Sequence, residues 1–362
     1  MRTTLKLAAV LVVVLAAAAS TPTAARLVPT AVAPSLSSIG PLAFGPTGVL
    51  YAADRNAATI FALDLGAQAT GGAAGTASVA KLDEQIAAML GTSAAEITIT
   101  DLAVHPTSHN SFVSVMRGQG ADAKPALVRV DGAGKLTLVS FETVQFTSVA
   151  LPNPAAVSPN GRGGRTQSVT DMALIDGRVY VAGLSNEEFA SKLWSVAYPF
   201  AKADTGTSVE IYHGNHAQVE TRAPIMTFLP YRAGNQSLVA AAYTCTPLVK
   251  FQTDALKAGT KVVGYTMMDL GAGNQPIDMI RYAKNGQDFL LMANSKHGIV
   301  KVPTAQFATL PAITAKVDTA GSFEAIAAMP DVVQLDLLDA QRSVSIAGKA
   351  NEPKNLNVTA LP

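Results

Sequence analysis

The sequence predicts an all-β fold, a propeller of about six four-stranded blades carrying one short inserted helix, and three observations predict it. Pairs of short apolar strands recur at spacings of roughly 45–70 residues, within the range of propeller blades with loop insertions. The strands are rich in Val, Ile, Leu, Tyr and Phe and are separated by Gly, Pro, Asn and Asp, the chemistry of strands and turns. The last pair falls close to the C-terminus, as a closed ring of repeats requires. A ring also leaves no long exposed sheet edge, which favours it over a β-sandwich or two small β domains.

The repeats run in order along the chain. A first strand and its hairpin partner are expected at 39–44 with 48–53, 99–104 with 111–116, 169–175 with 178–182, 224–229 with 237–243, 276–282 with 288–293, and 323–329 with 332–338. A third strand follows at 59–63, 126–130, 192–196, 248–251, 298–302 and 343–346. Gly45-Pro46-Thr47-Gly48 and Asp176-Gly177 stand where hairpins must reverse. Val79, Leu82, Ile86, Ala87 and Leu90 recur at helical spacing, predicting a helix over 80–90 that decorates the first blade. The Ala/Gly run at 67–77 and the Pro/Gly-rich stretch at 151–167 lack periodicity and read as loops.

Composition narrows the function. Lys and Arg total 27 against 26 Asp and Glu, a net charge of +1, so no field steers the chain toward nucleic acid. Arg2 and Lys6 precede an apolar run from Leu7 to Ala19, then small residues and Pro22, which predicts a signal peptide over 1–25, a propeller domain over 26–362 and a periplasmic or secreted protein. No later segment has the roughly 18 uncharged apolar residues of a membrane-spanning helix, so a monomer without a transmembrane span is expected. The single cysteine, Cys245, excludes an internal disulfide, leaving stability to the apolar core.

The segment Leu42-Ala43-Phe44-Gly45-Pro46-Thr47-Gly48-Val49-Leu50-Tyr51-Ala52-Ala53-Asp54, with Asn294-Ser295-Lys296-His297-Gly298-Ile299, resembles the blades of NHL-repeat and gluconolactonase-like six-bladed propellers. That resemblance implies a six-bladed ring over most of the mature chain. Its members include lactonases, binders of carbohydrate or peptide, and scaffolds, and the lactonases gather carboxylates and asparagines from several blades around one divalent cation.

Aligning the first strands on their apolar stretches gives a column of Pro41, Asp101, Asp171, Ile225, Asp278 and Glu324. First strands line the channel, so Asp101, Asp171, Asp278 and Glu324 form a candidate metal site for Ca2+ or another hard divalent cation. The alternative is that each acid caps neighbouring backbone N–H groups. Loops between second and third strands open at the same end, and with the blade-to-blade connections they supply candidate ligand-binding residues Arg55, Arg117, Asn186, His216, Glu220, Arg222, Cys245, Asn294 and His297. Such a mixture suits a small polar ligand. His213 with His216 and His105 with His109 have metal-compatible spacings but no evident third ligand, and are read as surface histidines. Cys245 is a nucleophile or thiolate ligand only if His216 or His297 lies beside it in space, and otherwise a small buried hydrophobe. No G-x-S-x-G elbow, P-loop, H-E-x-x-H or haem motif is present. The expected function is an exported, non-catalytic propeller that binds a small ligand or an envelope protein at its channel mouth. The alternative is a divalent-metal-dependent, lactonase-like hydrolase.

Overall fold

The strands alternate faces with a period of two, yet most of them read as continuous apolar runs because both faces are covered. Leu50 and Ala52 pack toward one neighbouring blade, and Tyr51 and Ala53 toward the other. A computed structural model describes residues 33–157, 164–233, 235–245 and 247–362. The expected signal peptide and the centre of the 151–167 loop lie outside the described residues.

The described chain forms a six-bladed β-propeller. Blade 1 contains Leu42–Phe44, Leu50–Asp54, Thr59–Asp64 and, outermost, Gln145–Ala150. Blade 2 contains Ile97–Val104, Ser111–Arg117, Lys124–Val130 and Leu136–Leu138. Blade 3 is Asp171–Ile175, Arg178–Leu184, Ser191–Ala197 and Thr207–His213, with Gln218–Glu220 folded back on the last strand and Lys261–Val263 pairing parallel to it. Ile225–Ala233, Gln236–Tyr243, Pro247–Gln252 and Tyr265–Asp269 form blade 4; Pro276–Lys284, Gln287–Asn294, Gly298–Pro303 and Glu324–Ala325 form blade 5. Blade 6 has Val332–Leu337, Arg342–Ala347 and Asn355–Ala360.

The order around the ring is not the order along the chain. Blade 2 is inserted between the third and outermost strands of blade 1, and Gln145–Ala150 returns to pair Thr147 with Ala62 and Val149 with Ile60. The first strands touch in the circuit blade 2, blade 1, blade 3, blade 4, blade 5, blade 6 and back to blade 2. An apolar cluster fills each of these junctions, for example Tyr51, Ile60 and Ala62 of blade 1 against Met172, Val181 and Trp194 of blade 3.

The ring closes between blades 6 and 2. Val79 and Leu356 exchange backbone hydrogen bonds of 2.8 and 2.9 Å, and the Val358 N–H donates to Ser78 Oγ at 2.9 Å. A segment ahead of blade 2 thus occupies the fourth-strand position of blade 6. The helix Leu82–Leu90 follows it, with Leu82 and Ile86 buried among Leu102 and Val113 of blade 2 and Val344 and Leu356 of blade 6. It therefore decorates this closure and not the first blade, where the sequence placed it. Burying each of those two side chains stabilises the joint by about 1.5–3 kcal/mol.

Two further expectations are corrected. Ala67–Thr70 forms a short helix inside the stretch read as loop. The last repeat lies one strand out of step with the sequence pattern: Glu324–Ala325 is the outermost strand of blade 5, and Val332–Leu337 is the first strand of blade 6.

Candidate functional site

The starts of the first strands and the loops between second and third strands share one end of the ring. There the Cys245 N–H donates to the Asn274 carbonyl at 2.7 Å and Ser295 N–H to that of Gln275 at 2.9 Å. At the other end lie the first hairpin turns, where His105 approaches Gly48. His105 Nδ1 accepts from Ser108 N–H at 3.0 Å and His109 Nδ1 lies 2.7 Å from the Leu338 carbonyl, so this histidine pair holds turns together.

The channel acids are built from the strand backbone upward. In blades 2, 4, 5 and 6 a bulge interrupts the first hairpin immediately before Asp101, Thr227, Asp278 and Gln334, and these residues occupy one tier of the channel. Asp101 Oδ2 accepts the Leu42 N–H of blade 1 at 2.5 Å, Asp171 Oδ2 that of Phe228 in blade 4 at 2.8 Å, and Asp278 Oδ2 that of Leu335 in blade 6 at 2.8 Å. By these partners Asp171 and Pro41 complete the tier, so aspartates stand in alternate blades. Asp336 lies two residues further along its strand and reaches the Val104 N–H of blade 2 at 2.7 Å. In every case Oδ1 accepts the N–H of the following residue, Leu102, Met172, Met279 or Leu337, at 2.7–2.8 Å.

The channel thus contains Asp101, Asp171, Asp278 and Asp336, not Glu324. Glu324 sits on the outside of blade 5, exposed, 3.7 Å from Lys301, because of the one-strand slip in the last repeat. The same slip places Asp336, absent from the sequence column, in the channel. Burial in the channel raises all four acids, and repulsion from neighbouring aspartates adds to it at Asp101, Asp171 and Asp278; Asp101 and Asp278 are held well above the usual carboxylate range. Asp171 is raised to about 7 and Asp336 to about 6, the backbone N–H bonds partly opposing burial in both.

Arg55 lies at the mouth above this tier. Its aliphatic stem rests on Gly40, whose missing side chain leaves the room, and its Nε donates to the Thr166 carbonyl at 2.8 Å, bridging blade 1 to the loop ahead of blade 3. Desolvation lowers its pKa, and the nearby Asp101 charge acts in the opposite direction.

The other rim candidates divide into groups. Arg117 is exposed at the end of its strand in blade 2. Asn186 and Arg222 lie along blade 3, Asn186 N–H on the Asn153 carbonyl at 2.8 Å and Arg222 on that of Glu188 at 3.3 Å. Asn294 is buried, with Oδ1 accepting from the backbone of Lys296 and His297 at 3.1 Å each, which shapes the loop presenting His297. His297 Nε2 lies 3.1 Å from the Leu270 carbonyl and 3.3 Å from Asn274 Nδ2.

The structure brings Cys245, His216 and Glu220 together and adds a residue read as a surface histidine. His213 ends the outer strand of blade 3 and is buried. One ring nitrogen each of His213 and His216 and the Sγ of Cys245 lie within 4.8 Å of one another. Glu220 Oε1 lies 2.7 Å from His216 Nδ1 and 3.0 Å from His213 Nδ1. Burial would raise Glu220, but the two imidazoles and Gln218 outweigh it and hold the carboxyl down at about 2. The third donor atom beside the histidine pair is the Sγ of the cysteine 32 residues from His213, brought to the same end by the turn between the second and third strands of blade 4.

No protein-family model matches this chain, and no curated protein matches it. Solved structures do. The aldose sugar dehydrogenase of Streptomyces coelicolor, solved with PQQ bound, is 13% identical over 92% of this chain and 98% of its own, with a TM-score of 0.32. The Cps50 (Swd1) β-propeller domain of Myceliophteria thermophila is 9% identical over 90% of this chain and 84% of its own, with a TM-score of 0.39. These likenesses concern the fold alone. Among the described residues no helix is long and apolar enough to cross a membrane.

Proposed function

We propose that this chain is an exported, non-catalytic propeller that binds a small polar ligand at the channel mouth, with Arg55 reaching over the channel and the loops of blades 3 to 5 forming the rim. One observation carries the reading. Both oxygens of Asp101, Asp171, Asp278 and Asp336 accept backbone N–H groups, one of them from the adjacent blade in each case. The acids that a lactonase-like hydrolase would use to gather a hard cation are engaged in joining blades. The groups at the mouth and rim, half-buried Arg55 and exposed Arg117, Asn186, His216 and Arg222, recognise a ligand by directional hydrogen bonds.

The test is a thermal-shift screen of the mature protein against monosaccharides, sugar acids and amino acids, with glucono-δ-lactone hydrolysis followed in parallel with and without Ca2+ and EDTA. A ligand at about 100 times its Kd adds about 2.7 kcal/mol and raises Tm by roughly 5 °C, a shift that Arg55→Ala removes. A shift that survives Arg55→Ala places the ligand elsewhere. Chelator-sensitive lactone hydrolysis replaces the binding reading with the hydrolase.

A further inference from the structure

We propose that His213, His216 and Cys245 form a binding site for a transition-metal ion that favours thiolate and imidazole, of the Zn2+ or Cu2+ class, on the rim between blades 3 and 4. The two rings are tilted 37° to one another with centroids 3.9 Å apart, and one nitrogen of each and the Cys245 Sγ fall within 4.8 Å of one another. A tetrahedral ion with bonds of about 2.0–2.3 Å needs ligand atoms roughly 3.3–3.6 Å apart. The contraction is about an ångström. His216 can supply it, since its side chain is 44% exposed.

Three features beyond spacing point to a metal. First, His213 is only 1% exposed and its Nε2 meets no hydrogen-bond partner among the described residues. A buried imidazole nitrogen is costly to leave without a partner, and an ion on that lone pair completes it. Second, both Nδ1 atoms face the same Glu220 oxygen. At His216, whose Nδ1 is hydrogen-bonded to that oxygen, an Nδ1–H directed at the carboxylate fixes the tautomer that leaves Nε2 as a lone-pair donor, the arrangement by which outer carboxylates orient metal-binding histidines, while neither ring nitrogen of His213 has a hydrogen-bond partner among the described residues. Third, the surroundings are anionic. Asp269, buried at the end of blade 4, accepts the Asn215 N–H at 3.2 Å with Oδ2 and acts electrostatically on both rings.

The donor set selects the ion. Sulfur and nitrogen ligands disfavour Ca2+ and Mg2+, which take oxygen, and favour Zn2+ or copper. Three protein ligands leave a fourth position open to solvent or an incoming group. This site lies apart from the channel acids, so it stands or falls independently of what the mouth binds.

The experiment uses the full mature chain, stripped with a chelator and then titrated with Zn2+ by calorimetry and with Co2+ and Cu2+ by optical spectroscopy. The expected result is one ion per chain and a thiolate-to-metal charge-transfer band with Co2+; an intense visible thiolate band that outcompetes Zn2+ identifies copper as the preferred ion. Cys245→Ser abolishes the band. It and His216→Ala each weaken Zn2+ by at least ~10-fold, and Glu220→Gln weakens it by ~10–100-fold. His109→Gln, at the opposite end of the ring, leaves the titration unchanged. Zn2+ also slows alkylation of Cys245 by iodoacetamide in the unsubstituted chain, a reading that needs no variant to fold. Absence of Zn2+ binding, binding unchanged by Cys245→Ser, or alkylation unslowed by Zn2+ overturns the site.

Discussion

Asp171 of blade 3 holds the backbone N–H of Phe228 in blade 4 at 2.8 Å through Oδ2 while Oδ1 holds the N–H of its own neighbour, Met172, at 2.7 Å. The same clasp recurs at Asp101, Asp278 and Asp336, always pointing the same way around the ring. Asp171→Ala or Asp278→Ala leaves two N–H groups without their acceptor. Each orphaned donor costs about 1–3 kcal/mol, less whatever repulsion is relieved. Urea denaturation is expected to show a loss of roughly 2–4 kcal/mol for either variant with little change in m.

The clasps also set a pH dependence. Asp171 titrates at about 7 and Asp336 at about 6 in the folded chain, above the ordinary carboxylate value, so between about pH 4 and 7 the folded state binds more protons than the unfolded one. Stability then declines as pH rises through that window. Asp131 and Asp339, held low by hydrogen bonds against burial or beside Arg342, work oppositely and lose their contribution below it. Melting curves are expected to peak in mildly acidic buffer and fall toward pH 8, and Asp171→Asn flattens the upper part of the decline. A Tm that climbs steadily from pH 5 to 8 contradicts the buried-acid picture.

Gly40 controls Arg55. A Cβ at position 40 would stand 2.3 Å from Arg55 Cδ and 2.7 Å from Cγ, so Gly40→Ala pushes the flexible side chain off the mouth. The loss of one charge-assisted contact, about 1.5–3 kcal/mol, corresponds to ligand binding weakened by roughly 10–100-fold with Tm nearly unchanged. Retained affinity in this variant shows that Arg55 is not a contact.

Leu82 tests the closure. It is fully buried between blades 2 and 6, and Leu82→Ala is expected to cost about 2–5 kcal/mol. Hydrogen exchange should show the loss concentrated in Asn355–Ala360, the strand that pairs with Val79. Uniform loss across all six blades argues against a discrete joint.

Much of this architecture was legible in the residues. Both faces of each inner strand are buried, so runs such as Val179–Ala182 are apolar throughout and mark blades clearly. The outer strands are not legible: Leu136–Leu138 is three residues long, and nothing in Gln145–Ala150 records that its partner is Thr59–Asp64 on the far side of another blade. Asp101, Asp171 and Asp278 stand out because a run of apolar residues follows each. Asp336 is obscured because Phe323–Met329 has the composition of a strand without forming the first strand of a blade, and in blade 4 the column falls on Ile225 because Thr227 lacks the charge that marks Asp101 and Asp278 after the same bulge. The histidine–cysteine cluster needed only the rule that outer-strand ends and second-to-third-strand loops share one end of the ring. That rule places Cys245 with His213, although 32 residues separate them.

The insertion of one blade inside another gives the polypeptide an order of completion. As it emerges N-terminus first, Thr59–Asp64 remains an unpaired sheet edge while some eighty residues, 65–144, are added, because its partner begins only at Gln145. Until then the nascent chain presents an apolar template of the kind that pairs with other chains. A ribosome stalled before that point would leave a sticky half-built module, and a chaperone would find its most urgent client there.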